Sequence, residues 1–340
     1  MILKNKRFDD SRVFISFELL TQCNYRCSYC YMFRNPENAN LLASNDFHDE
    51  NQHSVNLKIL EKLKLIDKKI HLFLLGGEPT IYKKLFEILD KAYEIPDIIV
   101  EIVSNGKRFE DIEFTKKFIR YQNLQITVSM HYEYLETTDY LKIFNNFKIL
   151  KRDIPNQDDR FILYSLLPKN PKDFYELEKK HKIINILEKI KSKNRVFLSL
   201  VDGYNIELLT DTVQEYINYF NSINKNHLIE FEFVRGITNN NAHEINRFKF
   251  LEMNSLNKVH YIWCYFNNYL IDKNGDIVGG NCEALDYLNV NILTSSEEEI
   301  KNILNINLIQ CPYKKCSINC SLVTKRKIKI DEDCDNFLLN

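Results

Sequence analysis

The sequence predicts an α/β protein: about six strand–helix units in an open sheet or barrel, followed by a smaller cysteine-rich region. Three observations carry this. From residue 13 onward, buried-type apolar runs alternate with amphipathic stripes, which calls for parallel strands joined by right-handed crossovers. Near residue 236 that rhythm stops, and six of the nine cysteines follow between positions 264 and 334. The 340 residues suffice for one large core and an appendage, since single cores stop growing at roughly 250–300 residues. The expected division is 1–235 and 236–340.

Residues 13–20 read as the first buried strand and 71–75 as the second. Residues 98–103, 124–130, 161–167 and 196–201 follow as four more. Between them, Ser54 is the expected N-cap of a helix with Ile59, Leu60, Leu63 and Ile66 on one face. Leu85, Ile88, Leu89 and Ala92 form the next stripe, and Tyr140, Ile143, Phe144, Phe147 and Leu150 another. Six units are too few to close an eight-unit barrel. In either architecture chemistry collects at the C-terminal ends of the strands. In the second region, 269–278 reads as a hairpin turning at Asn274-Gly275, whose ends would bring Cys264 and Cys282 together.

Composition excludes several classes. Apolar residues make up 44 % and charged residues 27 %, ordinary for a globular protein and wrong for a disordered one. The 46 basic side chains nearly cancel the 47 acidic ones, so no global field attracts nucleic acid or an anionic membrane. No apolar stretch reaches membrane-spanning length and the polar start is no signal peptide, so a cytoplasmic protein is expected. In a reducing compartment nine cysteines point to metal rather than to disulfides. With only eight glycines, those present should stand where the backbone has no alternative.

The first strand runs into Cys23-x3-Cys27-x2-Cys30, three thiols within eight residues. Zinc usually takes four ligands in two separated pairs. Three close thiolates can instead hold three irons of a four-iron cluster and leave the fourth iron open. A structural zinc loop is the alternative. The spacing, with Tyr29 just before the third cysteine, resembles the radical S-adenosylmethionine superfamily. The resemblance spans roughly 13–235 and implies a partial (β/α)6 TIM-like barrel. It also implies a [4Fe-4S] cluster on Cys23, Cys27 and Cys30, with S-adenosylmethionine chelated at the open iron. An electron from such a cluster cleaves the sulfonium–carbon bond to a 5′-deoxyadenosyl radical, and flavodoxin or ferredoxin would serve as donor.

The glycines agree. An adjacent pair is expected only about 0.2 times by chance at this composition, yet Gly76-Gly77 and Gly279-Gly280 both occur. Side-chain-free backbone at a strand end lets a ligand approach closely, although an ordinary strand-ending turn would look the same. Gly76-Gly77-Glu78-Pro79 is similar to the family's methionine-binding motif, and Ser104-Asn105 to its polar turn near the ribose and carboxylate. Ser129 matches a cofactor position too, and Tyr29 the aromatic one. His131 stands where an acid is usual in relatives with auxiliary clusters. It reads either as a proton acceptor or substrate contact, or as a histidine hydrogen-bonded at the rim. Asp202, after the sixth strand, offers the same two readings.

Cys264, Cys282, Cys311, Cys316, Cys320 and Cys334 resemble a SPASM/Twitch-type auxiliary-cluster domain, although Cys311 stands alone where that pattern has a C-x2-C pair. One fully ligated four-iron cluster or two incompletely ligated ones are both open, as is zinc on four of the thiols. The favoured sets are Cys264, Cys282 and Cys320 for one cluster, and Cys311, Cys316 and Cys334 for the other. Such clusters would take up the electron released in an oxidation. The resemblance implies oxidative modification of a peptide or protein. Dehydrogenation or epimerisation of a sugar or other small polar metabolite is the alternative, and a non-catalytic iron–sulfur or zinc protein a third. The first strand's start near residue 13 leaves no room for a leader-peptide-binding module ahead of it.

Overall fold

The computed structural model describes residues 12–30, 49–150, 161–168, 170–190, 193–198, 215–216, 218–225, 230–231, 261–265, 268–278, 290–304, 308–311 and 328–331. Six strands stand side by side in chain order, each parallel to the next: β1 (Arg12–Leu20), β2 (Lys69–Gly76), β3 (Ile99–Ser104), β4 (Leu124–Met130), β5 (Phe161–Leu167) and β6 (Lys193–Leu198). A two-residue β7 (Glu230–Phe231) continues the series, parallel to β6. This sequential parallel order is that of a partial barrel and differs from a doubly wound sheet, whose order reverses at its centre.

The helices lie in the crossovers: α1 (Glu50–Leu63), α2 (Leu85–Ala92), α3 (Ile112–Lys116), α4 (Tyr140–Phe147), α5 (Pro171–His181) and α6 (Ile183–Lys189). Ile70, Leu72 and Leu74 of β2, Val100 and Ile102 of β3, and Ile126 and Val128 of β4 are buried in one core with α1, α2 and α4. Each contributes about 1.5–3 kcal/mol on burial. The opposite face of the same strands carries buried polar groups. His71 Nε2 lies 3.0 Å from Glu101 Oε2, each side chain 2 % exposed, and Thr127 donates a hydrogen bond to the same carboxylate. Phe73 stacks on His71 with ring centroids 4.4 Å apart.

Two expectations shift and one holds. Helix α1 starts at Glu50, capped by Asp49, whose carboxylate accepts from Asn51 N at 2.8 Å. Ser54 therefore sits inside the helix, because the Asp49 carboxylate, five residues earlier, already accepts from the free N–H groups of Asn51 and Gln52. The sixth strand is 193–198; residues 199–214 lie outside the described ones. The hairpin forms where expected, from β9 (Asn268–Ile271) and β10 (Asp276–Val278), with Gly275 at φ +87°.

That hairpin extends the large sheet. β9 pairs parallel with β1 on the edge away from β2, and β10 pairs antiparallel with β11 (Val290–Asn291). Gln52 of α1 donates to the carbonyl of Lys273 at 2.7 Å, tying the turn to the first crossover helix. β8 (Tyr261–Tyr265), in contrast, forms a separate three-stranded antiparallel sheet with β12 (Leu308–Cys311) and β13 (Ile328–Asp331). Helix α7 (Glu297–Leu304) lies between β11 and β12 in the chain, and Tyr269 of β9 donates its hydroxyl to the Ile303 carbonyl at 2.6 Å.

Candidate active site

The turns that follow β1, β2, β3 and β4 meet at one edge of the sheet. The loop after β1 carries Cys23, Cys27 and Cys30, and the turn after β2 is bonded to its start. Gly77 N donates to the Leu20 carbonyl at 2.9 Å, and Glu78 N to that of Gln22 at 2.8 Å. A Cβ on Gly76, whose φ is +127°, would lie 2.1 Å from the Leu20 carbonyl oxygen. One on Gly77 would lie 2.0 Å from that of Gln22. The glycine pair is thus required first by the chain's own backbone, pressed against the cysteine loop.

Glu78 is fully buried, and its carboxylate accepts four hydrogen bonds. They come from Thr80 N at 3.0 Å, Thr80 Oγ1 at 2.5 Å, Ser104 Oγ at 2.8 Å and Asn105 N at 2.7 Å. Burial pushes its pKa up, and the four donors pull it back. Asn105 continues the chain of contacts: its Nδ2 donates to Asn24 Oδ1 at 2.7 Å and stands 4.0 Å from Cys23 Sγ. One carboxylate thereby fixes the ends of β2 and β3 and, through Asn105, the first cysteine.

The segment after β4 holds the other side of the loop. His131 Nδ1 lies 3.3 Å from Cys27 Sγ and 2.7 Å from Tyr29 Oη. Tyr25 stacks face to face on Tyr134 at 3.8 Å and hydrogen-bonds Thr138. Arg26 N donates to Tyr134 Oη at 2.6 Å, and Ser28 N to Glu133 Oε2 at 2.9 Å. Burial lowers the pKa of His131 to about 4, which keeps its ring neutral at pH 7. Beside this segment a cleft of about 810 Å³ is walled by charged and polar side chains, among them Tyr132, Glu133, Glu136, Asp173, Lys180 and His181.

The donor set fits an iron–sulfur cluster better than a single ion. Among the described residues no group of three or more His, Cys, Asp or Glu side chains converges on one ion position. The thiols are nevertheless neighbours, since Cys23 and Cys30 both raise the pKa of Cys27. Three soft sulfurs spaced along one loop suit three separate irons.

Burial above all pushes Cys23 up to about 11 and Cys27 up to about 12. The metal-free protein therefore keeps these thiols protonated at neutral pH, and any metal group they took up would release protons. Alkylation of metal-free protein by iodoacetamide should be much slower at Cys23 and Cys27 than at free cysteine at pH 8, rising only as pH approaches 11 and 12. Peptide mapping of the labelled sites checks this, and equal rates at pH 8 would contradict it. An unfolded thiol ionises nearer its ordinary value of 9.0. The metal-free fold should therefore lose stability as pH climbs from there.

Most residues singled out from sequence come together at this edge: Cys23, Cys27, Tyr29, Cys30, Gly76, Gly77, Glu78, Pro79, Ser104, Asn105 and His131. Ser129 is half-buried at the next-to-last position of β4. Asp202, Cys282, Cys316, Cys320 and Cys334 lie outside the described residues. Cys264 stands in β8 opposite Ile309, and Cys311 in β12 opposite Ile262, so the two occupy diagonal positions on neighbouring strands. Sequence reasoning missed Tyr25, Glu133, Tyr134, Thr138 and Tyr140. The clustering of His131, Tyr132 and Tyr134 directly after a strand end was the available signal.

Residues 17–180 match the family model of the Radical SAM superfamily. That stretch is a radical S-adenosylmethionine domain, of a superfamily whose enzymes perform radical chemistry with S-adenosylmethionine and a four-iron cluster. A curated relative, the S-adenosylmethionine-dependent nucleotide dehydratase of Fibrobacter sp. (strain UWH6), is 28 % identical over 109 residues, 29 % of each chain. The chain thus aligns with less than a third of that relative. Among solved structures, native anSMEcpe with bound AdoMet and Kp18Cys peptide is similar at TM-score 0.51 and 13 % identity, covering 86 % of this chain and 82 % of that one. Streptococcus suis SuiB bound to S-adenosylmethionine is similar at TM-score 0.51 and 14 % identity, covering 89 % and 65 %. These two likenesses show the fold. Among the described residues no helix is long and apolar enough to cross a membrane.

Proposed function

We propose that the chain reductively cleaves S-adenosylmethionine and uses the radical to modify a peptide or protein oxidatively. The observation that carries this is the three-thiol loop locked to the Gly76-Gly77-Glu78 turn. In this reading Cys23, Cys27 and Cys30 hold three irons of a cluster, which when bound supplies the electron that splits the sulfonium–carbon bond. The carbonyls and N–H groups around Gly76–Pro79, with Ser104, Asn105, Ser129 and Tyr29, bind and orient the cofactor. Glu78 works by positioning: its oxygens are already taken by Thr80, Ser104 and Asn105.

Two observations support a peptide. The anSMEcpe structure similar in fold carries one, and the charged cleft beside Tyr132 and Glu133 suits a polar chain. A second reading, radical chemistry on a small polar molecule such as a sugar or nucleotide, draws on the relative named as a nucleotide dehydratase. We also propose 236–340 as an auxiliary-cluster region held by Cys264, Cys282, Cys311, Cys316, Cys320 and Cys334, and flavodoxin or ferredoxin as electron donor.

The test pairs two substrate classes. Reconstituted protein is given S-adenosylmethionine, reductant and deuterated Cys-, Ser- or Thr-rich peptides, or else deuterated sugar nucleotides. Deuterium entering 5′-deoxyadenosine from the peptides supports the first reading; entry only from the nucleotides overturns it. More than four irons per chain supports the auxiliary centres, and four or fewer rejects them.

A further inference from the structure

We propose that His131 and Tyr29 set the reduction potential of the cluster by donating hydrogen bonds to the sulfur of Cys27. The inference rests on the reading that Cys27 ligates iron.

The geometry is a closed triangle of three side chains. His131 Nδ1 is 3.3 Å from Cys27 Sγ and 2.7 Å from Tyr29 Oη, which places the Tyr29 hydroxyl beside the same sulfur. The ring of His131 cannot drift from this place. It lies nearly parallel to Tyr29 at 5.9 Å and 12°, and meets Tyr25 edge-on at 5.8 Å and 90°. The backbone N–H of His131 is bonded to Tyr140 Oη at 3.0 Å.

An iron-bound thiolate has no proton and can only accept. If Nδ1 were unprotonated, it would accept the Tyr29 hydroxyl proton while its lone pair lay 3.3 Å from that charged sulfur, and the sulfur would receive neither proton. The sulfur therefore selects the tautomer with the proton on Nδ1, and the second proton in the triangle, that of Tyr29, is free to turn to the same acceptor. Hydrogen bonds to an ionised acceptor are the strong kind. Those on cluster sulfurs withdraw charge and favour the reduced state, which carries one more electron. The residue standing where an acid is usual is then a donor aimed at a ligand sulfur. An acid in its ionised form could not serve, because it would add a like charge beside the thiolate.

The test is an EPR-monitored redox titration of the reconstituted holoprotein, following the signal that is lost when Cys23, Cys27 and Cys30 are replaced together. His131→Leu removes one donor and should leave roughly tenfold less cluster reduced at a fixed potential, a midpoint lower by about 59 mV for one electron. His131→Asn, whose amide nitrogen falls near the place of Nδ1, should restore most of that shift. Tyr29→Phe removes only a hydroxyl and should lower the midpoint on its own. Should His131→Leu fail to bind iron, Tyr29→Phe decides. Unmoved midpoints in both variants, equal values for His131→Leu and His131→Asn, or loss of the cluster from Tyr29→Phe would each overturn the proposal. Absence of any iron–sulfur signal from the unaltered protein would instead overturn the cluster assignment itself.

Discussion

Gly77→Ala should cost about 3 kcal/mol or more and leave the purified protein deficient in iron at its N-terminal site. The new methyl would lie 2.0 Å from the Gln22 carbonyl oxygen, 2.3 Å from its carbon and 2.5 Å from the Thr21 oxygen. All three are backbone atoms, so no rotamer change relieves the overlap. The loop itself must move, breaking the bonds from Gly77 N to Leu20 and from Glu78 N to Gln22. Cys23 is the very next residue. Thermal melts and iron analysis of the variant check both effects; wild-type values for both would show that the turn does not hold the loop. Serine in its place should be no better, because the clash begins at Cβ.

Replacing Glu78 by alanine should be the other severe change. Thr80 Oγ1 and Ser104 Oγ can rotate to new partners, but the N–H groups of Thr80 and Asn105 are fixed in the backbone and buried. Two orphaned donors at about 1–3 kcal/mol each give a loss of about 2–6 kcal/mol. Glu78→Gln keeps one oxygen and should lose less, though its amide must face one of the N–H groups. Because Asn105 links this network to Asn24 and Cys23, the alanine variant should also bind S-adenosylmethionine poorly by calorimetry. Tight binding in a folded Glu78→Ala protein would contradict the positioning role.

What the sequence made legible was local and chemically rare. Three cysteines within one turn of chain, two adjacent glycines in a glycine-poor protein and a polar turn after each strand all mark their own positions. Strands β1–β4 were legible because their helix-facing side is apolar and buried and the other side, though partly polar, is largely covered, which leaves long apolar runs. Pairings between distant segments were not. β9 lies against β1 although about 250 residues separate them, and no pattern within four residues of sequence announces a partner. His131 drew attention by its position, but its contact with Cys27 crosses 104 residues and needs the turns after β1 and β4 to meet. The buried His71–Glu101 pair was hidden for a related reason: inside an apolar run, a single polar residue reveals its partner only once the strand register is known.

Gly76-Gly77 has a structural cause different from the one its sequence suggests. Glycine was expected there for close approach of a ligand. The atoms that fill the Cβ positions belong to Leu20 and Gln22. The same substitution would disturb the site in both cases, but only the second cause predicts lost iron as well as weakened cofactor binding.

The most direct measurement is anaerobic turnover of S-adenosylmethionine by the reconstituted protein and by a variant with Cys23, Cys27 and Cys30 all replaced by alanine. With reductant present, the unaltered protein should release 5′-deoxyadenosine. The variant should release none while keeping whatever iron its C-terminal cysteines bind. Undiminished 5′-deoxyadenosine from the variant, or none from the fully iron-loaded parent, would contradict the claim that those three sulfurs hold the reacting centre.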